Sequence, residues 1–147
     1  MIDLLIQTAE RTRYLDADLL RRILRDTQND PRRLDQILLS VPQFTEDAVL
    51  RLFAETLGLQ FFSEIAASSV PKHFVETVPA TYAQHHYIIG VKTPGVDGEL
   101  TVVQSSPFET DTLDNVSRMT GMPVRPALAT RTAITAAIDV AYEQKSS

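Results

Sequence analysis

The sequence has no cysteine and no tryptophan, only five glycines in 147 residues, and aromatic side chains at 7%. Without cysteine there is no disulfide framework, no thiolate metal site and no cysteine nucleophile. Stability must come from burial, and a domain of about 150 residues buries roughly 68–70% of its unfolded surface, enough for a core without staples. No apolar run approaches the roughly 20 residues needed to cross a bilayer. The opening MIDLLIQTAE is too short and too acidic for a signal peptide. The expectation is a cytoplasmic protein with no direct membrane insertion. A basic face is also missing. Net charge is −5, with eight arginines against ten acids in residues 1–57 and six bases against nine acids in residues 58–147. A nucleic-acid module normally carries a basic stripe, so no nucleic-acid partner is expected. Nor is there a Gly-x-x-x-x-Gly-Lys-Ser/Thr stretch to cradle ATP phosphates; Gly95-Val96-Asp97-Gly98 lacks the lysine and reads as a hairpin turn.

What the first 57 residues contain is helix signals. Ile2, Leu5, Ile6 and Ala9 form a helical stripe that polar residues 8–13 interrupt. Asp16 is placed to cap a second helix, with Leu19, Leu20, Ile23 and Leu24 on one face and Arg21, Arg22 and Arg25 on the other. Gln28-Asn29-Asp30 ends it. Pro31 suits the first position of a third helix, where a missing N–H has no consequence, and Pro42 stops that helix after Leu34, Ile37, Leu38 and Val41. Thr45 caps a fourth helix, Glu46 and Asp47 favour the positive end of its dipole, and Gly58 closes it. Residues 2–6 (IDLLI) are similar to 34–38 (LDQIL), and 18–24 (DLLRRIL) to 47–53 (DAVLRLF), at offsets of 32 and 29. This is a degenerate tandem helix–loop–helix repeat, whose neighbouring units share a core.

From Gly58 onward the pattern changes. Residues 59–62 are short and apolar, an extended entry segment. Val70-Pro71 and Val78-Pro79 each open a short helix, ending near Thr77 and Gln84. HYIIGVK (86–92) and ELTVVQ (99–104) are two β-rich runs around a Gly/Pro/Asp turn, a hairpin. Ser105-Ser106-Pro107 turns the chain into a helix over 110–120, closed by Gly121. Residues 122–129 (MPVRPALA) read as a strand that Pro123 and Pro126 confine to an edge or to strand ends. Thr130 caps a last helix with Ala133, Ile134, Ala137, Ile138 and Ala141 inward, and residues 143–147 read as a polar tail. The fold class is α+β: a helical tandem subdomain over 1–57, then a small mixed β-sheet covered by helices over 58–147.

Candidate chemistry is sparse. His85 and His86 are adjacent and His73 is the only other histidine. A metal site needs more ligands than that, so one of the pair is expected to be partly buried and hydrogen-bonded at a helix-to-strand corner. A hydrolase built on either histidine would need a convergent acid and nucleophile. Ser68-Ser69 and Ser105-Ser106 fit turns, and Asp111 with Asp114 fits the first turns of a helix. Arg21, Arg22 and Arg25 read as a solvated face, or as a docking face for an acidic partner. No catalytic residue and no metal ligand is expected.

The order of elements resembles the MshEN or GspE N-terminal domain of type II secretion and type IV pilus assembly ATPases. The resemblance is carried by Leu57-Gly58 before Leu59-Gln60-Phe61-Phe62; by Val78-Pro79 with Tyr82-Ala83 and His85; by residues 87–91 and Leu100-Thr101-Val102-Val103; by Pro107 and Leu113-Asp114; and by residues 121–130 leading into 134–142. It implies a non-enzymatic interaction module docking an inner-membrane secretion or pilus assembly protein, or the ATPase motor. It also implies an alternative, a cyclic di-GMP sensor. In that family, arginines of a tandem motif beginning Arg-Leu-Gly lie against guanine, and leucines pack around the bases. Here the matching positions are Arg33, Leu34 and Leu38, with Gln28 as the surviving closing glutamine of the first copy. Asp35 stands where the motif has glycine, Pro42 near its second glycine, and Thr56 near its closing glutamine. These departures favour docking, with no cofactor. Any contact with the inner membrane is then peripheral and through the partner.

Overall fold

The computed structural model describes residues 1–146, which divide into two compact units meeting between Leu59 and Gln60. The first unit is helical. Helix α1 (Ile2–Thr12) runs straight through the polar stretch expected to break it. The Thr8 and Thr12 hydroxyls donate to the carbonyls of Leu4 and Thr8, each at 2.7 Å, so these residues are absorbed into the helix rather than ending it. Arg13 then closes the helix at φ 60°, a left-handed conformation usually left to glycine. Helix α2 (Ala17–Asp26) begins as expected: the Asp16 carboxylate accepts from the amides of Asp18 and Leu19 at 3.0 and 3.2 Å.

Pro31 does not start the third helix. Helix α3 spans only Leu34–Leu39, with Arg33 at its N-cap. Asp30 accounts for the delay: its carboxylate takes the backbone N–H of Arg32 at 3.0 Å and holds residues 30–32 in a turn. Helix α4 (Glu46–Leu57) carries the expected Thr45 cap, accepting from the Ala48 amide at 3.1 Å, and ends at Gly58 with φ 70°. Leu5, Ala9, Leu20, Leu24, Ile37, Leu38, Val49, Leu52 and Phe53 are buried within this unit, and α1 packs on both α2 and α4.

The second unit is a four-stranded mixed sheet with helices, ordered β1-β4-β3-β2. Its strands are β1 (Gln60–Phe61), β2 (Ile88–Lys92), β3 (Leu100–Gln104) and β4 (Val124–Leu128). Helices α5 (Lys72–Thr77), α6 (Ala80–His86) and α7 (Thr110–Thr120) intervene, and α8 (Arg131–Ser146) follows β4. The hairpin is present: β2 and β3 pair antiparallel from Ile88 opposite Gln104 to Lys92 opposite Leu100. The β3–α7–β4 crossover makes β4 parallel to β3, and β1 adds parallel on the other side of β4.

Pro126 therefore lies mid-strand in an interior strand, not at an edge or an end. The register explains why it is tolerated. The Leu100 N–H donates to Pro123 O and the Ala129 N–H to Gln104 O, so odd-numbered residues of β4 bond to β3. The nitrogen of Pro126 points to the other side, where β1 pairs only with Ala127 and Leu128. Gly90 is required by close approach: a Cβ there would lie 2.6 Å from Phe74 Cδ1. The cap on α8 is as expected, with the Ala133 amide donating to Thr130 Oγ1 at 3.2 Å. The expected polar tail is helical through Ser146; Ser147 lies outside the described residues. Among the described residues, no helix is long and apolar enough to cross a membrane.

Candidate functional site

The ligand-type positions fall around the connector into α3. Gln28 is exposed in the turn after α2. Arg33 caps α3 without a side-chain cap bond, Leu34 is half-buried in the first turn, and Leu38 has no exposed surface at all. Arg33 thus caps the short helix that carries Leu34 and Leu38, and Leu38 is part of the core.

Both arginines of the connector are engaged by acids. The Arg32 guanidinium donates to Asp30 through Nη2 at 2.7 Å and Nε at 3.1 Å, and these bonds hold the Asp30 carboxyl below its ordinary range. Arg33 Nε lies 3.3 Å from Asp35 Oδ1, and Asp35 is 1% exposed. Asp35 is therefore a buried carboxylate facing the candidate arginine.

At the other end of the hairpins lie two cavities that sequence reasoning did not single out. One, of about 540 Å³, is lined by Glu10, Arg13, Tyr14, Asp16, Asp18 and Arg21 among others. Arg21 bridges Glu10 and Asp18 there, so it is held rather than available as a docking residue, whereas Arg22 and Arg25 are exposed. The second, of about 340 Å³, is lined by Tyr14, Leu15, Asp16 and Leu19 of one corner and Gln43, Phe44, Thr45 and Ala48 of the other. Those residues match pairwise at a constant offset of 29, the offset of the second repeat segment. Equivalent positions of the two hairpins line one cavity; the repeat offset was the signal that could have found it.

The histidines fall elsewhere than expected. His85 and His86 end α6 and are both exposed, their ring centroids 4.9 Å apart, with His86 tilted against Tyr82 at 4.3 Å. Neither is the buried, hydrogen-bonded corner histidine. That bond belongs to His73, whose Nε2 is 2.6 Å from Thr120 O, tying α5 to the end of α7. Among the described residues there is no group of three or more His, Cys, Asp or Glu side chains arranged to hold a metal. The serines serve turns: Ser69 donates to Ala66 O, and Ser106 Oγ accepts from the Phe108 amide.

The MshEN domain model matches residues 57–147, which span the whole sheet unit. The chain belongs to the MshEN domain family. The MshEN match covers more than half of the sequence, while the fold likeness reaches further. A structure of MshE with cdg superposes with a TM-score of 0.65 at 19% identity, covering 94% of this chain and 98% of that one. The N-terminal domain of XpsE matches with a TM-score of 0.62 at 20% identity, over 92% of this chain and 91% of that one. A second crystal form of the XpsE domain gives 0.55 at 23% identity, over 88% of each chain. At these identities the likeness shows the fold. No curated protein matches the chain.

Proposed function

We propose that this chain is a non-enzymatic regulatory module of a secretion or pilus assembly ATPase, and that its helical unit takes up cyclic di-GMP. The observation that carries this reading is the likeness to MshE, solved with cdg, which extends through the helical unit as well as the sheet unit. That likeness favours a sensor over a pure docking module. Arg33, Leu34 and Gln28 are the residues that would meet the ligand, the guanidinium suiting either a flat base or a phosphate. The sheet unit is the part matched by the family model and would carry the response to an assembly partner or to the motor. The module would work on the cytoplasmic side and reach the inner membrane only through that partner.

Calorimetric titration with cyclic di-GMP tests the sensor reading. Micromolar or tighter binding is expected, lost in Arg33→Ala with helical circular dichroism retained. A folded wild-type protein that gives no binding heat overturns it.

A second reading, docking without a ligand, has its own support. Asp35 is buried against Arg33, and Leu38, one turn further on, is closed to solvent. This reading expects the chain to co-purify with the cytoplasmic domain of an inner-membrane assembly protein whether or not the dinucleotide is added. A complex that forms only in its presence sinks it.

A further inference from the structure

Asp35 is a carboxylate with 2% of its side chain exposed, in the first turn of a six-residue helix. A carboxylate in that position is stable only when paired and hydrogen-bonded. Arg33 supplies one partner, through Nε at 3.3 Å from Oδ1 and Nη2 at 3.4 Å from Oδ2. Both contacts are long for such a pair, which closes to about 2.7–2.9 Å at its strongest. Access to the two ends is unequal: the Arg33 side chain is 39% exposed. A ligand arriving from solvent meets the part-exposed Arg33 side chain from outside, while Asp35 faces its closed Nε from inside. Arg32, the neighbouring cation, is drawn off by Asp30 at 2.7 Å and does not relieve the competition.

We infer that Asp35 is an internal counter-anion that competes with an incoming dinucleotide for Arg33, and so sets how tightly the helical unit takes that ligand. The inference rests on the ligand-binding reading of the helical unit. Its physical basis is that a carboxylate holds guanidinium donors that the acceptor edge of a guanine would otherwise take, whereas a neutral side chain of the same shape holds them less tightly.

The test compares wild type, Asp35→Asn and Asp35→Ser by calorimetric titration with cyclic di-GMP, with helical circular dichroism confirming the fold. Both variants are expected to bind about tenfold tighter than wild type, the scale of one charge-assisted hydrogen bond. Adding Arg33→Gln to Asp35→Asn should erase the gain. Equal binding by wild type and variants overturns the role of Asp35 and leaves the sensor reading standing. Binding by the variants alone upholds the role of Asp35 and overturns the sensor reading for the natural chain. No binding by any folded protein overturns both. Where both substitutions unfold the helical unit, the Arg33 Nε–H resonance of the wild-type protein decides: it moves at saturating ligand when Asp35 is displaced, and an unmoved resonance counts against the inference.

Discussion

The helical unit buries apolar side chains such as Leu5, Leu20, Leu52 and Phe53 and adds exposed charged pairs between its helices, Arg11 to Glu55 at 3.1 Å and Arg21 to Glu10. The sheet unit gathers Phe74, Val102, Val103, Val116, Ala127, Ile134 and Ile138 into one buried cluster around its strands. The family model recognises residues 57–147, while the helical unit keeps the fold without the match. The difference follows from what each architecture demands. A four-stranded sheet with parallel crossovers needs particular residues at particular register positions, and Gly90 beneath Phe74 is one. A helical hairpin needs a stripe, a cap and a stop, which many sequences supply. Positions between those signals are less tightly constrained.

Substitutions can break or sharpen that contrast. The largest effect is expected from Phe74→Ala, which removes a side chain with no exposed surface and should lower stability by about 3–5 kcal/mol in urea unfolding. Gly90→Ala should follow, at about 1–3 kcal/mol, because Phe74 and Leu100 must move from contacts of 2.6 and 2.9 Å; a neutral result would show that the sheet unit repacks as freely as the helical one. In the helical unit, Thr45→Ala removes the α4 cap and should lower stability by about 1 kcal/mol. Arg11→Ala breaks only an exposed pair and should stay within about 0.5 kcal/mol. A larger loss from Arg11→Ala than from Thr45→Ala would mean that surface charge, not local helix chemistry, holds this unit.

The last effect is read at alkaline pH. Burial pushes the Tyr142 hydroxyl up from 10.0 to about 12, while it donates to Val78 O at 2.6 Å. The folded state holds that proton more tightly than the unfolded state. Its contribution is complete below the unfolded value near pH 10 and is lost as pH rises toward 12. Melting temperatures of wild type and Tyr142→Phe should therefore converge across that window, and a constant difference would remove Tyr142 from the alkaline transition.

Much of the fold was legible because its signals are local. The caps at Asp16, Thr45 and Thr130, the stops at Gly58 and Gly121, and the hairpin of β2 and β3 each depend on residues close in sequence. The misreadings have a common cause. Thr8 and Thr12 look like helix breakers until their hydroxyls fold back onto the helix's own carbonyls. Pro31 looks like a helix start until Asp30 claims the Arg32 amide. The adjacent pair His85 and His86 drew attention, but the histidine that ties two elements is His73, whose partner Thr120 is 47 residues away. At the candidate site, Arg33 and Leu34 were named from the resemblance alone. The burial of Asp35 and Leu38 was not legible, nor was the cavity shared by Tyr14 and Gln43.

By itself the sequence determined the helix caps at Asp16, Thr45 and Thr130, the stops at Gly58 and Gly121 and the β2–β3 hairpin, because caps, stripes and turns act within a few residues. It also determined that this stretch carries no ATP-binding loop. Only the tertiary structure decided the strand order β1-β4-β3-β2, the tolerance of Pro126 inside β4, and the pairing of Arg33 with a carboxylate closed to solvent. Strand order and the environment of a strand proline depend on partners distant in sequence. Whether a charged residue is buried depends on how the elements around it pack.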